Sequence, residues 1–222
     1  MRVLLHVSPR GENASAQSSL LHEGDRQISP RPKMNISAVL LAGGKSRRMG
    51  KDKATLLFRG KPLWKLQLDV LRKLEPEEIL LSARTDPTWR PADVQFVADG
   101  PPSRGPLSGL AASLANVRGT HLLALAVDMV CMDEKYLRFL CDRIEPGRGV
   151  VPKIDNRAEP LSAIYPEEAA GEVRAALSGT DYSLQKLVGR LVENGKLREL
   201  AVTQQQRKLF LNLNQLSDLA EL

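Results

Sequence analysis

The chain has 222 residues, of which 42% are apolar, 26% charged and only 4% aromatic, and it carries a net charge of +6. That length supports one large domain or two small ones with a real core, and no segment approaches the ~20 consecutive apolar residues that would cross a membrane. The cationic surplus suits an anionic partner, and with few rings and its basic residues gathered in one loop the chain favours a small anionic ligand over nucleic acid.

Residues 1–33 are rich in Ser, Gly, Pro and charge, show no sustained period, and offer too little apolar content to offset the entropy of ordering. They read as a disordered N-terminal extension. Val3-Leu4-Leu5 is too short for a signal-peptide core. Met34 stands directly before the first good strand, so residues 34–222 are expected to form a single working domain.

From there strands and helices alternate. An apolar run predicts a strand over 36–42, and it stops at Gly43-Gly44, where the backbone can turn sharply and approach a ligand closely. Lys45, Arg47, Arg48, Lys51 and Lys53 follow, opposed only by Asp52. Free N–H groups and clustered cations at the end of a strand suit a polyphosphate. A Walker A loop is excluded, because Lys45 and Asp52 stand where it needs Gly and Ser or Thr; the dinucleotide fingerprint Gly-x-Gly is absent too.

Pro62 is placed at the first position of a helix over 62–74, and a strand over 78–83 follows. A Pro-containing linker leads to a strand over 93–98 and a helix over 106–116. The strand over 121–127 is apolar on both faces, as in a covered parallel sheet. A helix over 133–144 starts at Asp133-Glu134, which suits its dipole. Strands near 149–154 and 160–165, helices near 167–178 and 182–193, a strand over 197–203 and a short helix over 215–221 complete the reading. The fold class is α/β, a mostly parallel sheet built from crossover units.

Ligands of such sheets bind beyond the carboxyl ends of the strands. Asp128 ends the most apolar strand, where a carboxylate is costly unless a metal ion or a cation from the basic loop pairs with it. Metal binding is preferred over helix capping, since Asp128 lies about a turn too early and Asp133 is the nearer cap. Asp99, before Gly100-Pro101-Pro102, is open between a ligand role and an ordinary turn. Cys131 and Cys141 have no metal-ligand spacing and read as two reduced thiols of a cytoplasmic protein. His121 opens an apolar strand and reads as structural.

With these residues set out, the chain resembles the molybdenum cofactor guanylyltransferases. The family's opening LAGG-x-S-x-RMG-x-DK is reproduced from Leu41 to Lys53 without a gap. The match continues through Lys61-Pro62-Leu63-Trp64, Gly105-Pro106-Leu107-Ser108-Gly109, Asp128, and Glu159-Pro160-Leu161-Ser162-Ala163-Ile164-Tyr165 to Asn212-Leu213-Asn214. The resemblance implies a Rossmann-like fold of the nucleotide-diphospho-sugar transferase type, with helices on both faces. It implies GTP and molybdopterin as substrates, Mg²⁺ as cofactor, and contacts with molybdenum-insertion proteins and molybdoenzymes. By the same resemblance Leu41, Ala42 and Gly43 contact the guanine nucleotide largely through backbone, and Lys53 and Asp99 are nucleotide-binding positions. Asp128 is the nucleotide and magnesium ligand, Arg48 contacts phosphate, and Asn212 and Asn214 lie toward the pterin.

The implied reaction joins GMP to a phosphate that is mostly dianionic at pH 7, so it needs no strong general base. The demand is neutralisation of two anionic reactants, assigned to Arg48, Lys53 and a metal on Asp128. Lys45, Arg47 and Lys51 are outer-sphere attractors or simply solvated. Two departures stand out. Met129-Val130 replaces the family's x-Pro after the metal Asp, which is expected to loosen that turn, and Gln215-Leu216 replaces Thr-Pro, weakening the last helix. The rivals are a cytidylyltransferase, whose relatives usually carry Ala-Gly at Gly43-Gly44, and a nucleotide-binding regulator without turnover.

Overall fold

The computed structural model describes residues 35–43, 52–100 and 103–213. Strand β1 (Ile36–Leu41) is followed by two short strands, β2 (Leu57–Phe58) and β3 (Lys61–Pro62), which pair antiparallel. Arg59 (φ +50°) and Gly60 (φ +77°) make the two-residue turn between them, the conformation that matches the twist of a tight hairpin. Pro62 therefore belongs to a strand, with ψ 144°, and helix α1 begins after it at Leu63–Arg72. The expectation of Pro62 as first helical residue is corrected here. Pairing with Leu57 holds it extended, and its fixed φ fits either position.

Strands β4 (Ile79–Ala83) and β5 (Gln95–Ala98) lead to helix α2 (Pro106–Leu114), entered through Gly105 at φ +69° with Pro106 in the first turn. Strand β6 (His121–Ala126) is buried along its whole length. Helix α3 (Glu134–Cys141) is capped by Asp133, whose carboxylate accepts from the Tyr136 N–H at 2.8 Å. Strand β7 (Gly149–Ile154) turns back through Asp155 (φ +51°) into the short β8 (Arg157–Ala158), and β9 (Ser162–Pro166) follows. Helices α4 (Ala170–Ser178) and α5 (Leu184–Glu193) and strand β10 (Leu197–Ala201) complete the described elements. The hairpins β2–β3 and β7–β8 were not anticipated, because strands of two residues carry no readable period. The helix expected over 215–221 lies outside the described residues.

The main sheet has the order β10-β7-β9-β6-β1-β4-β5, with β8 beside β7. Strands β6, β1, β4 and β5 run parallel, β10 is parallel to β7, and β9 is antiparallel to both its neighbours. Alternate residues divide the core between two layers. Leu40, Leu81, Leu123 and Ile164 pack with α1 and α3, through Leu68, Leu71, Leu137 and Leu140. Val39, Leu80, Leu122 and Tyr165 pack with α2, α4 and α5, through Leu110, Val173, Leu187 and Leu191. Both faces are thus covered by helices, which explains the unbroken apolar character of β1 and β6. The chain runs from β1 outward to β5, then crosses back to place β6 on the other side of β1. The crevice at such a reversal is where open α/β sheets bind ligands. No helix among the described residues is long and apolar enough to cross a membrane.

Candidate active site

The end of β1 is tied to β4. Ala42 and Gly43 both donate their N–H groups to the Ser82 carbonyl, at 2.9 and 3.1 Å. The expectation of free N–H groups at the start of this loop is therefore corrected at these two positions. The sheet ladder simply extends past β1 and uses them. The Leu41 carbonyl likewise accepts from the Val127 N–H at 3.1 Å, so the end of β1 is bonded to both neighbouring strands.

Asp99 closes β5 and turns inward. It is 8% exposed, and its Oδ1 accepts from Ser82 Oγ at 2.5 Å. A Cβ on Gly43 would land on Asp99 Oδ2, and one on Gly109 would stand 2.7 Å from Ser82 Oγ and 3.2 Å from Asp99 Oδ1. Two glycines and a buried serine thus make a cradle for this carboxylate. Asp99 is thus held inside the fold and is not a solvated turn residue. Gly43→Ala should push Asp99 off Ser82 and lower stability by about 1–3 kcal/mol, as overpacking typically does. Urea denaturation of the variant checks this; an unchanged midpoint would show that Asp99 can step aside freely.

Asp128 follows β6 across the reversal. Its Oδ2 accepts from Lys53 Nζ at 2.7 Å, and both side chains are largely shielded, 21% exposed for Lys53 and 24% for Asp128. The partner required by a carboxylate ending an apolar strand is thus a cation of the basic loop. Lys53 sits in a short 3-10 turn capped by Asp52, whose Oδ1 accepts from the Ala54 N–H. The other Asp52 oxygen accepts from Trp89 Nε1 at 3.0 Å, and Trp89 is stacked on Trp64 of α1. The turn carrying Lys53 is therefore anchored to the body of the domain.

The turn after Asp128 is not loosened by Val130. Met129 and Val130 are buried, Gln67 Nε2 donates to the Met129 carbonyl at 2.9 Å, and the Met132 N–H closes on Met129. Burial and a cross-helix amide do here what a proline would do through its ring. The Leu213 N–H donates to the Asp128 carbonyl at 3.0 Å, which brings Asn212 to the same place. Asp128 and Asn212 line one pocket of about 380 Å³ together with Arg157, Glu159 and Gln185. Burial pushes the Glu159 carboxyl above its ordinary range, and the Arg157 charge works against that shift.

A family model for the MobA-like NTP transferase domain matches residues 38–195. The chain belongs to the MobA-like NTP transferases. A probable molybdenum cofactor guanylyltransferase from Opitutus terrae is 34% identical to it, over 82% of this chain and 92% of that protein. A molybdenum cofactor guanylyltransferase from Syntrophotalea carbinolica is 29% identical, over 82% and 88%. Among solved structures, the molybdopterin-guanine dinucleotide biosynthesis protein A of Archaeoglobus fulgidus shares the fold, with TM-score 0.64, 24% identity and coverage of 83% and 95%.

In this MobA-like NTP transferase Gly43 meets Asp99 at the ends of β1 and β5, and Asp128, just past β6, meets Lys53 and shares a pocket with Asn212. Arg48 and Asn214 lie outside the described residues, as do Gly44, Lys45, Arg47 and Lys51. Ser82, Gln67, Trp89 and Gln185 escaped the sequence reading. Each is a lone polar residue whose role is a contact made across the fold, and nothing local marks it. His121 is structural, with no exposed surface and both ring nitrogens engaged by Thr120 and the Glu145 carbonyl. Cys131 and Cys141 are free and half-buried, and burial lifts the Cys141 thiol to about 12, far from a reactive thiolate.

Proposed function

We propose that the protein transfers GMP from GTP to the terminal phosphate of molybdopterin. The Lys53–Asp128 contact at the strand reversal carries this reading, since it puts a cation and a hard oxygen donor where two phosphorylated reactants must meet. An oxygen of the acceptor phosphate attacks the α-phosphorus of GTP. The new P–O–P bond forms as the bond to the β-phosphate oxygen breaks, and pyrophosphate leaves with that electron pair. The names of the relatives support the same substrates. The working unit is residues 34–222, acting in the cytoplasm and in transient contact with molybdenum-insertion proteins and molybdoenzymes.

The halves of the crevice divide the work. On the β1–β4–β5 side, Leu41, Ala42, Gly43 and Asp99 face the guanine nucleoside. Lys53, with Arg48, faces the triphosphate. On the β9–β7 side, Asn212 faces the pterin, and Asn214, outside the described residues, is assigned to the same substrate by the family resemblance.

Mg²⁺ fits the donors available. Among the described residues no group of three or more His, Cys, Asp and Glu stands ready to hold a metal. Mg²⁺ commonly binds through one or two carboxylates plus substrate phosphates, and Asp128 is the carboxylate at the crevice centre. When bound there it would neutralise phosphate charge. The chain's own groups orient the reactants, and Lys53 offers its ammonium to the leaving phosphates.

A thermal-shift panel tests this. GTP with Mg²⁺ at about 100 times its Kd should raise Tm by ~5–10 °C, from a linkage of ~2.7 kcal/mol and the usual shift per kcal/mol for a chain of this size. CTP and ATP should shift it much less. A larger shift with CTP would transfer the proposal to a cytidylyltransferase, and pyrophosphate release with molybdopterin separates an enzyme from a silent binder.

A further inference from the structure

The segment Ala158–Pro160 is fixed with unusual completeness. The Gln185 amide grips both backbone groups of Ala158, accepting from its N–H at 3.1 Å and donating to its carbonyl at 2.8 Å. The Glu159 N–H donates to the Pro152 carbonyl at 2.8 Å, and the Glu159 carbonyl accepts from the N–H and hydroxyl of Ser162. The hydroxyl of the fully buried Tyr165 donates to the Pro160 carbonyl at 2.8 Å. Such bracing fixes the backbone from which the Glu159 side chain projects, a support that a recognition group requires.

The side chain so placed is the Glu159 carboxylate, and it lines the pocket of about 380 Å³ beside Asp128 and Asn212. The volume is within the usual range for small-molecule sites. Gln185 is committed to Ala158, and Asp128 faces Lys53. No hydrogen bond from a described residue reaches the Glu159 carboxylate, although it is half-buried. A half-buried, acceptor-only group on a braced backbone calls for a ligand that brings donors.

We propose that Glu159 is the specificity residue for the acceptor, accepting in bidentate fashion from the paired N–H groups on the 2-amino-4-oxo edge of its pterin ring. This rests on the acceptor assigned under Proposed function. Guanine carries a like edge, but Glu159 lies on the β9–β7 side of Asp128, away from the Gly43–Asp99 cradle beside β1, β4 and β5. Glu159→Gln keeps the shape and turns one acceptor oxygen into a donor, which opposes the donor edge.

The experiment pairs kinetics with direct binding. Pyrophosphate release is measured for wild type and Glu159→Gln while molybdopterin and GTP are varied separately. Binding of pterin and of lumazine, which has an oxygen in place of the 2-amino group, is followed by their own fluorescence. A charge-assisted hydrogen bond of ordinary strength corresponds to a ~10–100-fold change. The molybdopterin KM should rise by that factor with the GTP KM within twofold of wild type. Wild type should prefer pterin to lumazine at least fivefold, and the variant should lose that preference. An unchanged molybdopterin KM, a rise confined to GTP, or equal binding of the two pteridines by wild type would overturn the assignment. Absence of pyrophosphate release by wild type sinks the parent reading instead, and the pteridine pair then judges Glu159 alone.

Discussion

Asp128→Ala should lower turnover at least 10²–10³-fold while the protein stays folded. The expected size is that of an electrostatic group acting on the transition state, ~3–4 kcal/mol. The side chain stands at the end of β6 beyond the packed layers, and its backbone is held independently by the Leu213 N–H. Truncation therefore removes charge without opening a cavity in the core. The variant also frees Lys53 from its partner, so GTP alone can still bind. The separating measurement is pyrophosphate release against GTP-induced thermal shift, and Asp128→Asn supplies the isosteric control. Turnover near wild type in either variant would remove Asp128 from the site.

Lys53→Ala should cost a similar factor by a different route. Here the GTP KM rises as well as kcat falling, because the ammonium meets phosphate both before and during transfer. The loss also leaves Asp128 without its 2.7 Å partner at the mouth of the crevice, which repels incoming phosphate. Lys53 and Asp128 touch, so their effects should not add. The double variant should be little worse than the weaker single one. Simple multiplication of the two losses would mean the pair acts at independent points. Lys53→Arg keeps the charge but lengthens and flattens the head group, and should restore only part of the activity.

The alternation of strands and helices was legible because its causes are local. Apolar runs such as Ile36–Leu41 and His121–Ala126 can be satisfied only by burial on both faces, and Asp133 announces a helix start from its own neighbours. The basic loop and the carboxylate at Asp128 were legible too, because a charge that ends an apolar strand needs a partner. The partner's identity was not local, since Lys53 lies 75 residues away in sequence. Likewise the two N–H groups drawn to Ser82, the Asp99 cradle, the reversed direction of β9 and the Gln185 grip on Ala158 come from contacts between distant segments. The layers, the strand ends and the charges gathered at them are written in local patterns, because periodicity and the desolvation of charge act on neighbours along the chain. Which charge meets which comes from the folded arrangement, because strand order and register set those distances and no short-range pattern records them.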